Sequence, residues 1–331
     1  MTEKTEGIFR SSDGIHDIAY TVWTPDDLPR AVVQIVHGMN EFVDRYDELA
    51  NYLAAHGIVV CGDDHLGHGR TAKTSDDLGF FGEKDGDRFL VEGVLTLNKI
   101  MKKKYRSLPY ILLGHSMGSF ISRAYVSVHP ETVDAFVVSG TAGKGQPFGL
   151  GKLVCSVVAA FRGNRYRSKL IKKLAFSGYN KRCKGDYGVE WVTTDPVNLS
   201  KYAGDPKSTF DFTVRAYHDM FSLLSYVNSD EWYDLMPESL PILFVAGKED
   251  PVGNYSKGVV EVADRLSDKM SDLTVKLYDG ERHELHTGLK RQEYFADLLE
   301  WINERIDGVN AARTFPQINV GGEEHETDTR S

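Results

Sequence analysis

Cysteine is scarce, with only Cys61, Cys155 and Cys183 in 331 residues. They form no C-x-x-C pair, and an odd number cannot all be bridged. A disulfide framework is excluded, and a reducing, cytoplasmic setting is expected. Long apolar runs are missing too. The best candidate, residues 153–161, is short and broken by Ser156. A spanning helix needs about 20 apolar residues, so none is expected. The first residues, Met-Thr-Glu-Lys-Thr-Glu-Gly, hold no apolar core, which predicts no secretory leader. Neither a P-loop nor G-x-G-x-x-G occurs, so no nucleotide cofactor is indicated. Proline (11) is few against glycine (31), which suits many tight turns. Hydrophobic residues at 41% and charged residues at 26% exclude collagen-like and disordered chains.

One local absence carries more. The net charge is −9, which argues against nucleic-acid binding. Yet residues 135–185 contain no Asp or Glu, where composition alone would place about seven. The same stretch holds Lys144, Lys152, Arg162, Arg165, Arg167, Lys169, Lys172, Lys173, Lys181, Arg182 and Lys184. A basic island in an acidic chain points to an anionic partner such as a membrane surface. It equally suits a solvated face paired with the acidic body.

What is present alternates regularly. Short apolar runs at 31–36, 58–62, 110–113, 135–139, 241–246 and 273–278 read as strands. Residues 8–10 and 15–23 read as two more around a turn. Between them, 46–56, 89–101, 119–129, 259–270 and 292–306 have helical spacing. Strands alternating with amphipathic helices give an α/β fold with a mostly parallel sheet and helices on both faces. Residues 143–236 are too long for a loop and read as an inserted helical cap. The division expected is 1–142 with 237–307 as core, 143–236 as cap, and 308–331 as a flexible tail. The cap opens with Leu150, Leu153, Val154, Val157, Val158 and Phe161, one helical stripe. Beside basic residues, such a stripe suits a membrane surface, and it equally suits packing on the core.

The chemistry sits in Gly114-His115-Ser116-Met117-Gly118. G-x-S-x-G directly after a strand and directly before a helix is a nucleophile elbow, a sharp turn that exposes the serine hydroxyl. A serine hydroxyl is a poor nucleophile near neutral pH and needs a base held by an acid. The chain order for this arrangement is Ser, then Asp or Glu, then His. Asp250 follows one late strand and His283 the next, with Glu249 and His286 as local competitors. All would lie at the carboxyl edge of the sheet, where open α/β sheets place their sites. An oxyanion hole needs two backbone N–H groups. Met117, after the nucleophile, and Met39, in the loop after the first buried strand, are the candidates. His65 and His68 lack further ligands at suitable spacing, so a structural turn is expected there and no metal.

These residues resemble the α/β-hydrolase group of monoacylglycerol lipases and bacterial lysophospholipase-like proteins, of the serine aminopeptidase S33 type. The likeness runs over about residues 7–306. It lies in His37-Gly38-Met39-Asn40-Glu41 with Arg45-Tyr46, in Asp64-His65-Leu66-Gly67-His68-Gly69, in the elbow, and around Asp250 and His283. Tyr179-Asn180-Lys181-Arg182 and Asp205-Pro206 look like the bacterial branch. The resemblance implies an α/β-hydrolase fold with a cap. It also implies that Glu41, Arg45 and His286 hold the glycerol end of a substrate. For Glu41 and Arg45 the plain alternative is an internal ion pair, and for His286 a packed residue at a helix start. Phe42 stands where the family often has His.

The function expected is a serine ester hydrolase for lipid-like substrates, most of all monoacylglycerols, working through an acyl-enzyme without a cofactor. Lysophospholipase, short-chain esterase, thioesterase or peptidase activity would fit the same fold, as would a non-catalytic receptor. The partners expected are a small lipid ester and, through the basic cap, an anionic membrane. Nucleic acid is not among them. The expected location is cytoplasmic with peripheral membrane association.

Overall fold

A computed structural model describes residues 2–145 and 147–314, with side chains through Gly308. β1 (Glu3–Arg10) and β2 (Asp17–Thr24) pair antiparallel, Glu3 opposite Thr24 and Arg10 opposite Asp17. β1 starts earlier than its apolar pattern suggests, because its first half is exposed and carries no burial signal. β3 (Ala31–Val36), β4 (Ile58–Asp63), β5 (Tyr110–His115), β6 (Ala135–Ser139) and β7 (Ile242–Gly247) are buried along their whole length. Strands covered on both faces read as unbroken apolar runs, as these do. With β8 (Leu273–Tyr278), the eight strands are ordered β1-β2-β4-β3-β5-β6-β7-β8. β2 pairs antiparallel with β4, and every pairing from β4 to β8 is parallel.

Alternation along β3 divides two cores. Val32 and Val36 face α2 (Gly86–Lys104) and α3 (Met117–Val128), while Val33 and Ile35 face the opposite layer, which includes α1 (Asp47–Ala54). Between β6 and β7 lie α4 (Phe148–Arg162), α5 (Lys169–Ala175), α6 (Pro196–Gly204), α7 (Val214–Val227) and α8 (Asp230–Leu235). α9 (Lys257–Ser267) and α10 (Arg291–Thr314) complete the layers, α10 packing beside α1 through Phe295, Leu298 and Ile302. Among the described residues, no helix is long and apolar enough to cross a membrane.

α10 runs past the expected start of the tail at 308. α10 continues to Thr314, since a single Gly308 costs a helix only about 1 kcal/mol. Residues 315–331 lie outside the described residues. The stripe on α4 also divides. Val154 and Val158 are half-buried against the core, whereas Leu150, Leu153, Val157 and Phe161 are exposed.

The sheet order reverses at β3, which has β4 on one side and β5 on the other. That switch point opens a crevice beyond the carboxyl ends of β3 and β5. The loops after both strands meet there.

Candidate active site

Ser116 sits between β5 and α3 with φ 53° and ψ −123°, a left-handed conformation that a serine adopts only where its surroundings hold it. The flanking glycines are required by space. A side chain at Gly118 would overlap the Val36 carbonyl, and one at Gly114 would meet the Gly118 carbonyl at 2.6 Å. Gly38, in the loop after β3, packs so closely that an added Cβ would lie 2.8 Å from the Ser116 Cβ. Met39 and Met117 both line the cavity on which Ser116 opens.

That loop is braced from behind. His37 and His65 stack with ring centroids 3.9 Å apart, and the His65 N–H donates to His37 Nε2 at 3.0 Å. His65 Nδ1 lies 2.8 Å from Asp63 Oδ2 and its Nε2 lies 3.2 Å from the His37 carbonyl. Both ring nitrogens thus face acceptors. Burial alone would push this imidazole down, but Asp63 outweighs it and the pKa rises. His68 is buried among Phe81, Phe210 and Phe212, and burial pushes it down to about 3. The two histidines therefore stand as packing and bracing groups.

Asp250 follows β7 and His283 follows β8. Glu249 N–H donates to the Glu281 carbonyl at 2.9 Å, which ties the two loops together. Asp250 Oδ2 lies 2.9 Å from His283 Nδ1, and Asp250 Oδ1 accepts from the Val252 N–H at 2.9 Å. Asp250 and His283 are buried, while Glu249 is exposed. Burial disfavours the charged imidazole, yet Asp250, then Glu284 and Glu41, outweigh it and raise its pKa. His115, with its ring 4.7 Å from that of His283, has no carboxylate partner among the described residues and is held well below the usual value by burial. Ser116 and His283 line one cavity of about 990 Å³.

Glu41 lines that cavity, but Arg45 and His286 stand behind its wall. The Arg45 guanidinium pairs with Glu284, lies 3.9 Å from Glu41 and covers the Tyr202 ring. His286 stacks on Tyr46 at 4.1 Å, and burial pushes it down to about 4. Arg45 and His286, expected beside a substrate, are not among the residues that line the cavity and pack against Glu284, Tyr202 and Tyr46. Glu41 Oε1 accepts from the Gly38 N–H and from Tyr46 Oη, which leaves Oε2 without a hydrogen bond. Burial and the nearby Glu284 push Glu41 up to about 7, since Arg45 sits closer to Glu284. Glu41, Glu284 and His286 offer ligand atoms within 4.8 Å of one another. The Arg45 guanidinium lies against both of these carboxylates.

Some lining residues have no advance signal. Glu284 directly follows His283, a neighbour that chain adjacency brings to the site. Trp191 and Val192, about ninety positions earlier, accept backbone bonds from His283 (3.4 Å) and Glu284 (2.7 Å). The Trp191 ring lies 5.2 Å from that of His283. No spacing rule joins such distant segments.

Residues 27–289 match the family described as serine aminopeptidase, S33. The monoacylglycerol lipase of Mycolicibacterium smegmatis is 29% identical over 310 residues, covering 90% of this chain and 97% of that protein. The monoglyceride lipase of Mus musculus is 28% identical over 297 residues, covering 87% and 88%. Among solved structures, a thermostable carboxyl esterase from Bacillus coagulans in complex with glycerol superposes with a TM-score of 0.86. It is 30% identical, over 92% of this chain and all of that one. With its eight-stranded sheet and its elbow after β5, the chain has the α/β-hydrolase fold and belongs to the serine aminopeptidase S33 family.

Proposed function

We propose that this carboxylic ester hydrolase cleaves monoacylglycerols through Ser116, His283 and Asp250. The observation that carries the reading is the buried Asp250–His283 pair beside a strained serine on one cavity. Ser116 Oγ attacks the ester carbonyl while His283 Nε2 takes its proton, and Asp250 holds the tautomer through Nδ1. The Met39 and Met117 N–H groups receive the oxyanion. His283 returns the proton to the departing alcohol, and a water then releases the acid by the same path. His283 must begin neutral, so activity is present above its raised pKa and lost as pH falls through it.

The two ends of the substrate follow from the lining. Phe120, Phe148, Phe176, Met220, Phe221 and Leu224 make an apolar channel for an acyl chain. Glu41 Oε2 lacks a donor, and a glycerol hydroxyl supplies one. Residues 143–236 form a cap over this channel. Leu150, Leu153, Val157, Phe161, Leu170 and Leu174 are exposed in the acid-free stretch, which supports docking on an anionic membrane. Of Lys169, Lys172 and Lys173, which lie beside Leu170 and Leu174, Lys172 is held by Asp211, so Lys169 and Lys173 carry the proposal.

The test is hydrolysis of monoacylglycerols from two-carbon to long acyl chains, with Ser116→Ala as control. Activity that rises with chain length and vanishes in the variant is expected. Activity confined to the shortest chain would overturn the lipid reading, and activity surviving in Ser116→Ala would overturn the nucleophile.

A further inference from the structure

The loop that carries His283 is fastened to the insertion between β6 and β7, residue by residue. Arg282 Nη1 donates to the Glu190 carbonyl at 2.7 Å and to the Thr193 carbonyl at 3.1 Å. The His283 N–H donates to the Trp191 carbonyl at 3.4 Å, and the Glu284 N–H to the Val192 carbonyl at 2.7 Å. Four successive carbonyls of the insertion, 190 to 193, thus accept from three successive residues, 282 to 284. Thr194 Oγ1 adds a fifth link by donating to Glu281 Oε2 at 2.5 Å. A loop has no ladder of its own, so bonds of this kind set its course.

The seam reaches the chemistry at both ends. The Glu281 carbonyl accepts the Glu249 N–H at 2.9 Å, one residue before Asp250. The Trp191 ring lies 5.2 Å from the His283 ring. On another side, a side chain at Gly140 would come within 3.1 Å of His283 Nδ1 and Cε1. The imidazole is thus boxed in while its Nδ1 stays 2.9 Å from Asp250 Oδ2. A shift of the loop along the seam would carry the ring off that carboxylate.

The seam has one link that the backbone does not supply at 282. A single guanidinium nitrogen bridges two carbonyls three residues apart, bracketing the weaker bond from the His283 N–H. We propose that Arg282 is a positioning residue for His283, gripping the insertion at 190 and 193 so that the imidazole stays on Asp250. The insertion then holds part of the machinery as well as covering the cavity. The inference rests on the reading of Ser116, His283 and Asp250 as the reacting set.

The experiment compares Arg282→Ala and Arg282→Lys on a soluble short-chain ester. The control is Asn164→Ala. Asn164 also ties the insertion to the core, through the Glu83 carbonyl at 3.1 Å, and stands outside the cavity lining. Arg282→Ala is expected to lower kcat about 10- to 100-fold with KM within twofold, since misplacement of about 1 Å can cost that much. Its acid limb should move to lower pH, because Asp250 is foremost among the groups that raise the His283 pKa. Arg282→Lys, which can still donate to these carbonyls, should recover most of both. Asn164→Ala should leave kcat and the limb in place. Where Arg282→Ala does not fold, Thr194→Val takes its place, with about a threefold loss and a limb shifted the same way. A kcat within twofold, a limb that stays in place, or the same loss and shift in Asn164→Ala would each overturn the assignment. Activity that persists in Ser116→Ala would instead overturn the underlying reading, and the assignment with it.

Discussion

The two halves of the site are built differently. The sheet half hangs on loops after β3, β5, β7 and β8, and its groups are buried, paired and strained. The insertion half turns apolar side chains both inward to the cavity and outward to solvent, and from 143 to 185 it has no acid. One half is made to hold a few atoms still. In the proposed reading the other accepts acyl chains and a membrane surface. Changes in the sheet half should therefore alter chemistry on every ester, and changes on the outer face of the insertion should alter only substrates presented by a membrane.

The largest effect is expected from Ser116→Ala. Removing the proposed nucleophile should lower kcat by about 10⁴-fold or more on any ester, measured with a soluble short-chain substrate. Asp250→Asn should follow, with about a 10³-fold loss, because the amide cannot hold the His283 tautomer. It also carries a signature in pH. Native activity should fall on the acid side through a value above the usual 6.5, since Asp250, Glu284 and Glu41 together outweigh burial at His283. Without the carboxylate, burial dominates and that limb should move to lower pH. A limb that stays in place in Asp250→Asn would mean another group sets it.

Phe161→Asp should be silent on the soluble ester. Phe161 is 84% exposed at the end of α4. Burying a phenylalanine side chain is worth about 1.5–3 kcal/mol, so partition onto anionic vesicles should weaken about 10- to 100-fold. Lys173→Ala should weaken it about fivefold at low salt and not at high salt, near 1 kcal/mol for one cation at an anionic surface. Equal losses on soluble and vesicle substrates would erase the contrast between the halves.

The same contrast explains what could be read in advance. The elbow was legible because Gly114, Ser116 and Gly118 are close in sequence and each answers a local steric demand. Asp250 and His283 were legible from chain order and from the strands before them. The inner strands showed as apolar runs because helices cover both faces. What escaped is long-range. Arg45 and His286 fell behind the cavity wall because Glu284 captures one and Tyr46 stacks on the other. Arg123 meets Val227 across 104 positions, and Lys172 finds Asp211 outside the acid-free stretch. Such pairs depend on how the insertion folds back, which periodicity does not encode.

Glu41 lies in the sheet half, in the loop after β3, and the smallest effect is expected there. Its Oε1 holds the Gly38 N–H of the loop after β3, a structural task that an amide oxygen can also perform. Its Oε2 has no hydrogen bond and lies 3.9 Å from Arg45 Nε and 3.8 Å from His286 Nε2. Glu41→Gln should thus keep kcat on a simple alkyl ester within about twofold. On monoacylglycerol it should raise KM several-fold, since one acceptor for a hydroxyl becomes a donor. The pH dependence of that difference sharpens the assignment. Burial and Glu284 push Glu41 up to about 7, so the native carboxylate gains a proton as pH falls through that value. The native protein should then resemble Glu41→Gln below neutrality and depart from it above. Measuring KM for both proteins from about pH 6 to 9 checks this, with a constant ratio assigning Glu41 to the loop alone.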